Sequence, residues 1–375
     1  MYRPTFQSKL WLGLVSALFL VLFYWAENSR VNVRPDDYDA KIDASRIMEK
    51  SLQVLVDFRL PGGVQSSGDN VKDPLSYTML GEKDSPITTD EGRIEDKVTV
   101  LNPNFAAVVV DLLSQSGVKE GDTIAIALTG SMPGANLAAF SAAKPLGLHP
   151  VIITSVGSSW WGANAPDFTW LDMERVLYDA EIFAFRSIGA SAGGGDDQGG
   201  LRLSDIGQQL IVDAISRNDL TYIHEGSLSS NIKGRTDLYS RQTDLTNYKA
   251  YLNLGGGIAS IGHRANSDLI PNGYSKRLPQ KNYPNRGVIH YFAENSVPII
   301  QINNIPDIAK EYKLQIGQLP LPKSGVGLVF EHERYNLTIA SIALGLMLLV
   351  LIVMKYFDLK KYKWQEEKND MDTVV

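Results

Sequence analysis

The sequence predicts an α/β body with a doubly wound, mostly parallel, Rossmann-like sheet, flanked by two single transmembrane helices. Three observations predict this architecture. An uncharged apolar run lies near each end of the chain, short apolar runs alternate with helical patterns between them, and Gly/Ser-rich loops follow those short runs. Apolar runs of strand length that alternate with helices are typical of a parallel sheet buried on both faces.

The two terminal runs are long enough to cross a bilayer. Residues 10–26 and residues 337–354 carry no charged side chain, and a spanning helix needs roughly 20 apolar residues, with about 17 as the lower limit. Aromatic residues such as Trp11 and Tyr356 flank the runs, as at membrane interfaces. The alternative for the first run is a cleaved signal peptide, but the residues after Trp25 do not form a small-residue cleavage site.

The charges beside the second run predict the orientation in the membrane. Five lysines follow it, whereas only Lys323 and Arg334 lie close before it. The positive-inside rule therefore places the C-terminus in the cytoplasm, and two spans place the N-terminus there as well. The predicted order is a cytoplasmic N-terminus (1–9), a span (10–26), a linker (27–42), an extracytoplasmic α/β domain (43–330), a span (337–354) and a cytoplasmic basic tail (355–375).

The elements of the body follow from apolar spacing and from capping residues. Helical spacing covers residues 42–60 and 102–116, the latter with Asn102 as cap and Pro103 at its first position. Residues 61–95 are rich in Gly, Ser and Asp and predict a loop with a short strand. The alternation then predicts strands at 123–128, 150–154, 182–185, 220–224, 250–254 and 297–302, and helices at 137–146, 170–180, 205–217 and 288–295.

Composition excludes several classes of function. The chain has no cysteine, which excludes thiolate zinc sites, iron–sulfur clusters and a cysteine nucleophile. Its five histidines show no metal-ligand spacing, and its net charge of −6 gives no general attraction to nucleic acid. The pattern Gly255-x-Gly257-x-x-Ser260 lacks the third glycine of a dinucleotide fingerprint. The sequence therefore predicts no metal, no cofactor and no nucleic-acid partner.

Four Gly/Ser-rich loops follow predicted strands, at 129–136, 155–162, 187–195 and 255–260. The carboxyl ends of parallel strands meet at one edge of a sheet, where hydroxyls and backbone N–H groups suit an anion. Ordinary turn chemistry, which also favours Gly and Ser, is the alternative for each loop. The predicted ligand-binding residues are Gly130, Ser131, Gly134, Asn136, Ser158, Ser159, Gly255, Gly256, Gly257 and Arg264. Arg264 begins a basic stretch, which is interpreted either as a basic rim beside the anion site or as a solvated loop.

Four residues are candidates for catalysis. Ser131 lies between a predicted strand and a helix, where an activated serine or a simple helix cap is found. Ser191 is the serine of a literal G-x-S-x-G match, but a glycine-rich loop follows where the nucleophile elbow requires a helix. His224 and Glu225 end a predicted strand and are candidates for proton transfer.

Several segments together resemble one family. They are NPNFAA (102–107), GSMPGAN (130–136), SVGSSWWGA (155–163) and FTWLDME (168–174). The chain resembles the poly-γ-glutamate system protein family, bacterial membrane proteins associated with making or exporting poly-γ-glutamate. The resemblance covers about residues 40–310, with Met132 where a Phe is expected, and it brings no established catalytic residues.

The resemblance implies a process rather than a mechanism. It implies a membrane-anchored accessory component of poly-γ-glutamate (capsule polymer) biosynthesis or export, located in the cell membrane, whose outer domain binds the polymer or another anionic ligand. Its partners would be the membrane and the synthase or export subunits. The alternative is an extracytoplasmic hydrolase or transferase that acts on the γ-glutamyl amide chain through a serine nucleophile. A receptor for an unrelated anionic metabolite also stays open.

Overall fold

The computed structural model describes residues 9–60, 79–200 and 203–372. The chain divides into two compact units, which are Met1–Arg34 together with Glu331–Val375, and Pro35–Phe330. The predicted loop at 61–95 lies partly outside the described residues, since only its last part, from residue 79, is described.

The first unit contains the two terminal helices and a small sheet. Its elements are α1 (Lys9–Glu27), β1 (Arg30–Val33), β11 (His332–Tyr335) and α13 (Leu337–Asp372). β1 pairs antiparallel with β11. The segment predicted as a linker, 27–42, therefore contains a strand. The backbone of β1, which follows α1, pairs with the backbone of β11, which precedes α13.

Two described helices are long and apolar enough to cross a membrane, over Leu10–Glu27 and Leu337–Trp364. This confirms the two candidate spans near the ends of the chain. A bent pair of helices in the second unit, described next, would count as a third span only if its two members, which meet at 78°, were taken as one.

The second unit carries the remaining elements. They are α2 (Tyr38–Arg59), β2 (Thr88–Asp90), α3 (Ile94–Leu101), α4 (Phe105–Gln115), β3 (Thr123–Thr129), α5 (Pro133–Ala143), β4 (His149–Ser155), β5 (Ser158–Ser159), α6 (Trp170–Asp179), β6 (Gly189–Ser191), α7 (Asp205–Arg217), β7 (Thr221–Tyr222), α8 (Leu228–Gln242), β8 (Tyr251–Leu254), α9 (Ile258–Ile261), α10 (Asn266–Leu269), β9 (Gly273–Ser275), α11 (Val288–Glu294), β10 (Ile299–Ile302) and α12 (Ile305–Glu311). The bent pair is α3 and α4, whose apolar side chains lie in the core.

A seven-stranded sheet organises this unit, in the order β7-β6-β4-β3-β8-β10-β9. All neighbours pair in parallel except β9, which runs antiparallel to β10. Successive residues of the central strand point to opposite faces: Ile126 packs with α4 and α5, and Ala127 with α8 and α11. The predicted mixed α/β fold with a mostly parallel sheet is confirmed, and burial of both faces explains why residues 124–128 of the central strand are apolar at every position.

The strand order reverses beside β3. From β3 the chain builds outward through β4, β6 and β7, and it then returns to the other side of β3 at β8 and β10. In open α/β sheets a crevice forms beyond the carboxyl ends of the strands at such a reversal. The fold therefore places the loops after β3, β4 and β8 around one crevice.

Several predicted elements are wrong or displaced. The strand predicted at 182–185 is absent, and the strand at that place in the sheet is β6. Phe183 and Phe185 pack their rings against Phe140 of α5, which accounts for the apolar run that suggested a strand. α3 and α8 were not predicted, and α5 begins at Pro133 rather than at residue 137.

Candidate functional site

A cavity of about 420 Å³ lies at the carboxyl edge of the sheet, at the reversal of strand order. All four predicted Gly/Ser loops contribute to it. The lining includes Ser131 and Met132 after β3, Ser155, Gly157 and Ser159 at and after β4, Gly193, Gly194 and Gly195 after β6, Gly255, Gly256 and Gly257 after β8, Asn303 after β10, and residues 89–93, 96 and 97 from β2, α3 and the loop between them.

Lys97 is the central charged group of this cavity. It extends from α3, is 1 % exposed, and donates to Ser159 Oγ at 2.7 Å and to the backbone carbonyl of Ser131. Among the described residues no carboxylate forms an ion pair with it. Burial lowers the pKa of Lys97 to about 8, because the charged ammonium loses its hydration, and the charge of Asp96 offsets only part of this loss.

Ser159 is held in place from two sides. It belongs to β5, which pairs in parallel with β2, and its backbone N–H donates to Ser131 Oγ at 3.0 Å. Gly92 lies directly beside it, since a Cβ added at Gly92 would lie 2.9 Å from Ser159 Oγ and 3.2 Å from Lys97 Cε. The missing side chain at Gly92 therefore leaves the Ser159–Lys97 pair open to the cavity.

The rim of the cavity carries charges of both signs. Arg264 pairs with Asp90 at 2.7 Å, and both side chains are exposed. Asp96 lies half-buried, one of its carboxylate oxygens has no hydrogen-bond partner in the part of the chain that the structure describes, and burial raises the pKa of this carboxyl. An anion that enters the cavity therefore meets mixed charges at the rim and a buried cation, Lys97, inside.

No family model, no curated protein and no solved structure matches this chain significantly.

The predicted ligand-binding residues separate into two groups. Ser131, Ser159, Arg264 and the three glycines at 255–257 line the cavity. The other four, which do not line it, make structural contacts: Gly130 and Gly134 allow close backbone approach to Val156 and Val100, Asn136 donates to the carbonyl of Thr129 at 2.8 Å, and Ser158 donates to the carbonyl of Gly130 at 3.0 Å.

Ser191 lies in a buried ion-pair network. Its hydroxyl donates to Asp197 Oδ1 at 2.7 Å and accepts from Arg235, and Arg235 pairs with Asp197 at 2.9 Å. Arg235 also donates to Ser155 Oγ at 2.7 Å. Ser191 is fully buried and is not among the residues that line the cavity. Although Ser191 is the serine of the G-x-S-x-G match, it is not an exposed nucleophile. It is part of the buried Asp197–Arg235 ion pair and its hydrogen bonds, called the brace below.

His224 and Glu225 lie beyond β7, at the edge of the sheet, and do not line the cavity. The ring of His224 is exposed and stacks on Tyr222. The backbone N–H of Glu225 donates to Asn231 at 2.7 Å. The structure therefore does not bring these two residues to Ser131 or Ser159.

Sequence reasoning missed Lys97, Asp96 and Asn303. Lys97 directly follows Glu95 and Asp96 in α3 and precedes the buried residues 98–101. The sequence did not distinguish Lys97 from a solvated charge, because it stands beside two acidic residues. The structure shows it buried, which is rare for a lysine without a partner or a role.

Proposed function

We propose that this protein is a membrane-anchored accessory component of poly-γ-glutamate biosynthesis or export, and that its cavity binds a carboxylate of the polymer or of a similar anionic ligand. The observation that carries the proposal is Lys97, a buried cation without a carboxylate partner among the described residues, at the strand-order reversal. A bound carboxylate would supply that partner. The process itself rests on the resemblance of the sequence to the poly-γ-glutamate system proteins.

The chemistry of the cavity supports an anionic ligand. Lys97 shares its hydrogens with Ser159 Oγ and the Ser131 carbonyl, and the hydroxyls of Ser131 and Ser159 line the same space. A carboxylate has two acceptor oxygens, which suit one ammonium and neighbouring hydroxyls. The net charge of −6 repels a polyanion at long range, so recognition would depend on this local cation.

The membrane arrangement is part of the proposal. Both termini lie in the cytoplasm and the α/β domain lies outside, with the spans docking against synthase or export subunits. The lysines after the second span support this orientation. We also propose the finer, Rossmann-like class for the sheet, which the outward growth of the strand order on both sides of β3 supports.

Binding of γ-linked glutamate oligomers to the full chain in nanodiscs tests the proposal. We expect Lys97→Met to weaken binding by about tenfold or more, because a hydrogen bond to a charged group contributes about 1.5–3 kcal/mol. The matched control is Lys119→Met, which makes the same chemical change on the surface at a side chain outside the cavity. Equal affinity of the wild type and Lys97→Met, or equal binding of an oligomer whose carboxylates are amidated, would contradict the proposal.

A further inference from the structure

We propose that Ser159 and Lys97 form a serine–lysine dyad, in which Ser159 is the nucleophile and Lys97 its general base, for cleavage or transfer of an acyl group. The choice of substrate, a γ-linked amide flanked by carboxylates, rests on the proposed function; the dyad itself does not. The nucleophile of this dyad is neither Ser131 nor Ser191, the serines that the sequence singled out for catalysis. Lys97 contacts the hydroxyl of Ser159, whereas its contact with Ser131 is to the backbone carbonyl.

The distance between the two groups suits direct proton transfer. Lys97 Nζ and Ser159 Oγ are 2.7 Å apart, within the range expected of a base and the nucleophile that it activates. A lysine can act as this base only when it is neutral. The absence of a paired carboxylate among the described residues and the burial of Lys97 both favour the neutral form, and its pKa of about 8 leaves a substantial neutral fraction at mildly alkaline pH.

The surroundings orient the dyad and leave room for a substrate. The Ser131 carbonyl and Ser159 Oγ fix Lys97 Nζ, and pairing of β5 with β2 fixes the backbone of Ser159. Ser131 Oγ accepts the N–H of Ser159, and no described residue accepts the hydroxyl hydrogen of Ser131. That O–H is therefore available to donate to the oxygen of a substrate carbonyl, while Gly92 leaves space beside Ser159 Oγ.

The reaction balances with water as the only co-reactant. Neutral Lys97 takes the hydroxyl proton of Ser159 as Oγ bonds to the amide carbon, and the carbonyl electron pair moves to oxygen. As the C–N bond breaks, the ammonium of Lys97 returns the proton to the leaving amine, which leaves an ester on Ser159. Lys97 then deprotonates a water molecule that attacks this ester, and it returns the proton to Ser159 Oγ as the carboxylic acid leaves. An amine in place of water gives transfer.

A serine-directed fluorophosphonate probe tests the dyad without the natural substrate. The probe forms a P–O bond with the nucleophile and loses fluoride, and peptide mass spectrometry locates the adduct on the full chain in detergent. We expect labelling at Ser159, loss of that label in Ser159→Ala, and a rate at least about 100-fold lower in Lys97→Met, the scale of a general base. Ser116→Ala, in which the lost hydroxyl donates to the carbonyl of Leu113 at the end of α4, should label like the wild type.

The pH profile separates a base from a merely structural lysine. We expect the labelling rate to rise between pH 6 and 9 with a midpoint near pH 8, as Lys97 loses its proton. Gly92→Ala adds a methyl group 2.9 Å from Ser159 Oγ and 3.2 Å from Lys97 Cε, and it should slow labelling by crowding the dyad while both reactive groups remain present. No label at Ser159 at any pH, together with unchanged length of γ-glutamyl oligomers after incubation, would overturn the dyad.

Two outcomes separate this inference from the proposed function. Labelling of Ser159 without binding of glutamate oligomers would support the dyad and overturn the proposed ligand. Binding that depends on Lys97, without labelling or cleavage, would support the proposed ligand and overturn the dyad. Lys97→Arg divides the two roles in one protein, because it keeps a cation for a carboxylate but cannot lose its proton to act as a base.

Discussion

At the scale of single residues, Lys97 is a costly side chain to bury. Its pKa of about 8 in the fold, against an ordinary value of 10.5, corresponds to about 3 kcal/mol at neutral pH, at 1.36 kcal/mol per pKa unit. The group contacts a serine, a backbone carbonyl and the cavity rather than a carboxylate. Retaining such a residue lowers the stability of the fold. The loss is expected where function needs the amine, charged to bind an anion or neutral to act as a base.

This cost predicts how stability depends on pH. Between pH 8 and about 10.5 the unfolded chain holds a proton on this lysine that the folded chain has released, so stability rises with pH in that window. We expect Lys97→Met to raise the melting temperature most at pH 7 and below. The advantage over the wild type should shrink by pH 10, as followed by tryptophan fluorescence in detergent. A difference that does not vary with pH would contradict the assigned burial cost.

At the scale of elements, the brace formed by Asp197 and Arg235 joins the loop after β6 to α8. The pair is buried, and it also holds Ser155 and Ser191, which end β4 and β6. Asp197→Ala would leave the guanidinium buried and unpaired, so we expect a loss of about 3–5 kcal/mol in the free energy of unfolding. Asp179→Ala removes an exposed carboxylate near Arg175 and should lower the free energy of unfolding by at most about 1 kcal/mol. Urea titration of the two variants measures both losses. Equal losses would show that the brace is not a structural pair.

Helix α6 contains a second titratable group inside the body. Glu174 is buried and accepts hydrogen bonds from Ser187 N–H and Oγ at 2.8 and 2.9 Å, and burial raises its pKa to about 7. Between about pH 4.5 and 7 the folded state holds this proton and the unfolded state does not. The stability that protonated Glu174 contributes to the fold is therefore lost as pH rises through 7. Glu174→Gln should therefore flatten the fall in melting temperature between pH 5 and 8. An unchanged slope would contradict the shift.

The elements also show what the sequence could predict. Helical apolar spacing predicted the helix at 205–217 correctly. A continuous apolar run predicted the strand at 123–128 correctly. α8 was missed because its buried face is largely polar, with Asn231 and Arg235 in place of apolar side chains. The Gly/Ser edge was predictable from loop composition, whereas Lys97 was not, since its role depends on a contact with Ser159, 62 residues away along the chain.

At the scale of the whole molecule, the orientation across the membrane decides which ligands the cavity meets. The chain has no cysteine, so a single introduced cysteine is the only thiol. We expect a membrane-impermeant maleimide to label Lys119→Cys in the body on intact cells, and to label Lys363→Cys beyond the second span only after lysis. The reverse pattern would place the α/β domain in the cytoplasm and contradict the positive-inside prediction.

The central claim is that a carboxylate of the ligand lies against Lys97. Calorimetry of γ-glutamyl oligomer binding at pH 8, in buffers of different ionisation enthalpy, measures the protons taken up on binding. A carboxylate beside Lys97 raises its pKa, so the wild type should take up about half a proton per site, and Lys97→Met close to none. Binding by the wild type without proton uptake would contradict the claim, because the ligand would then bind without contacting this lysine.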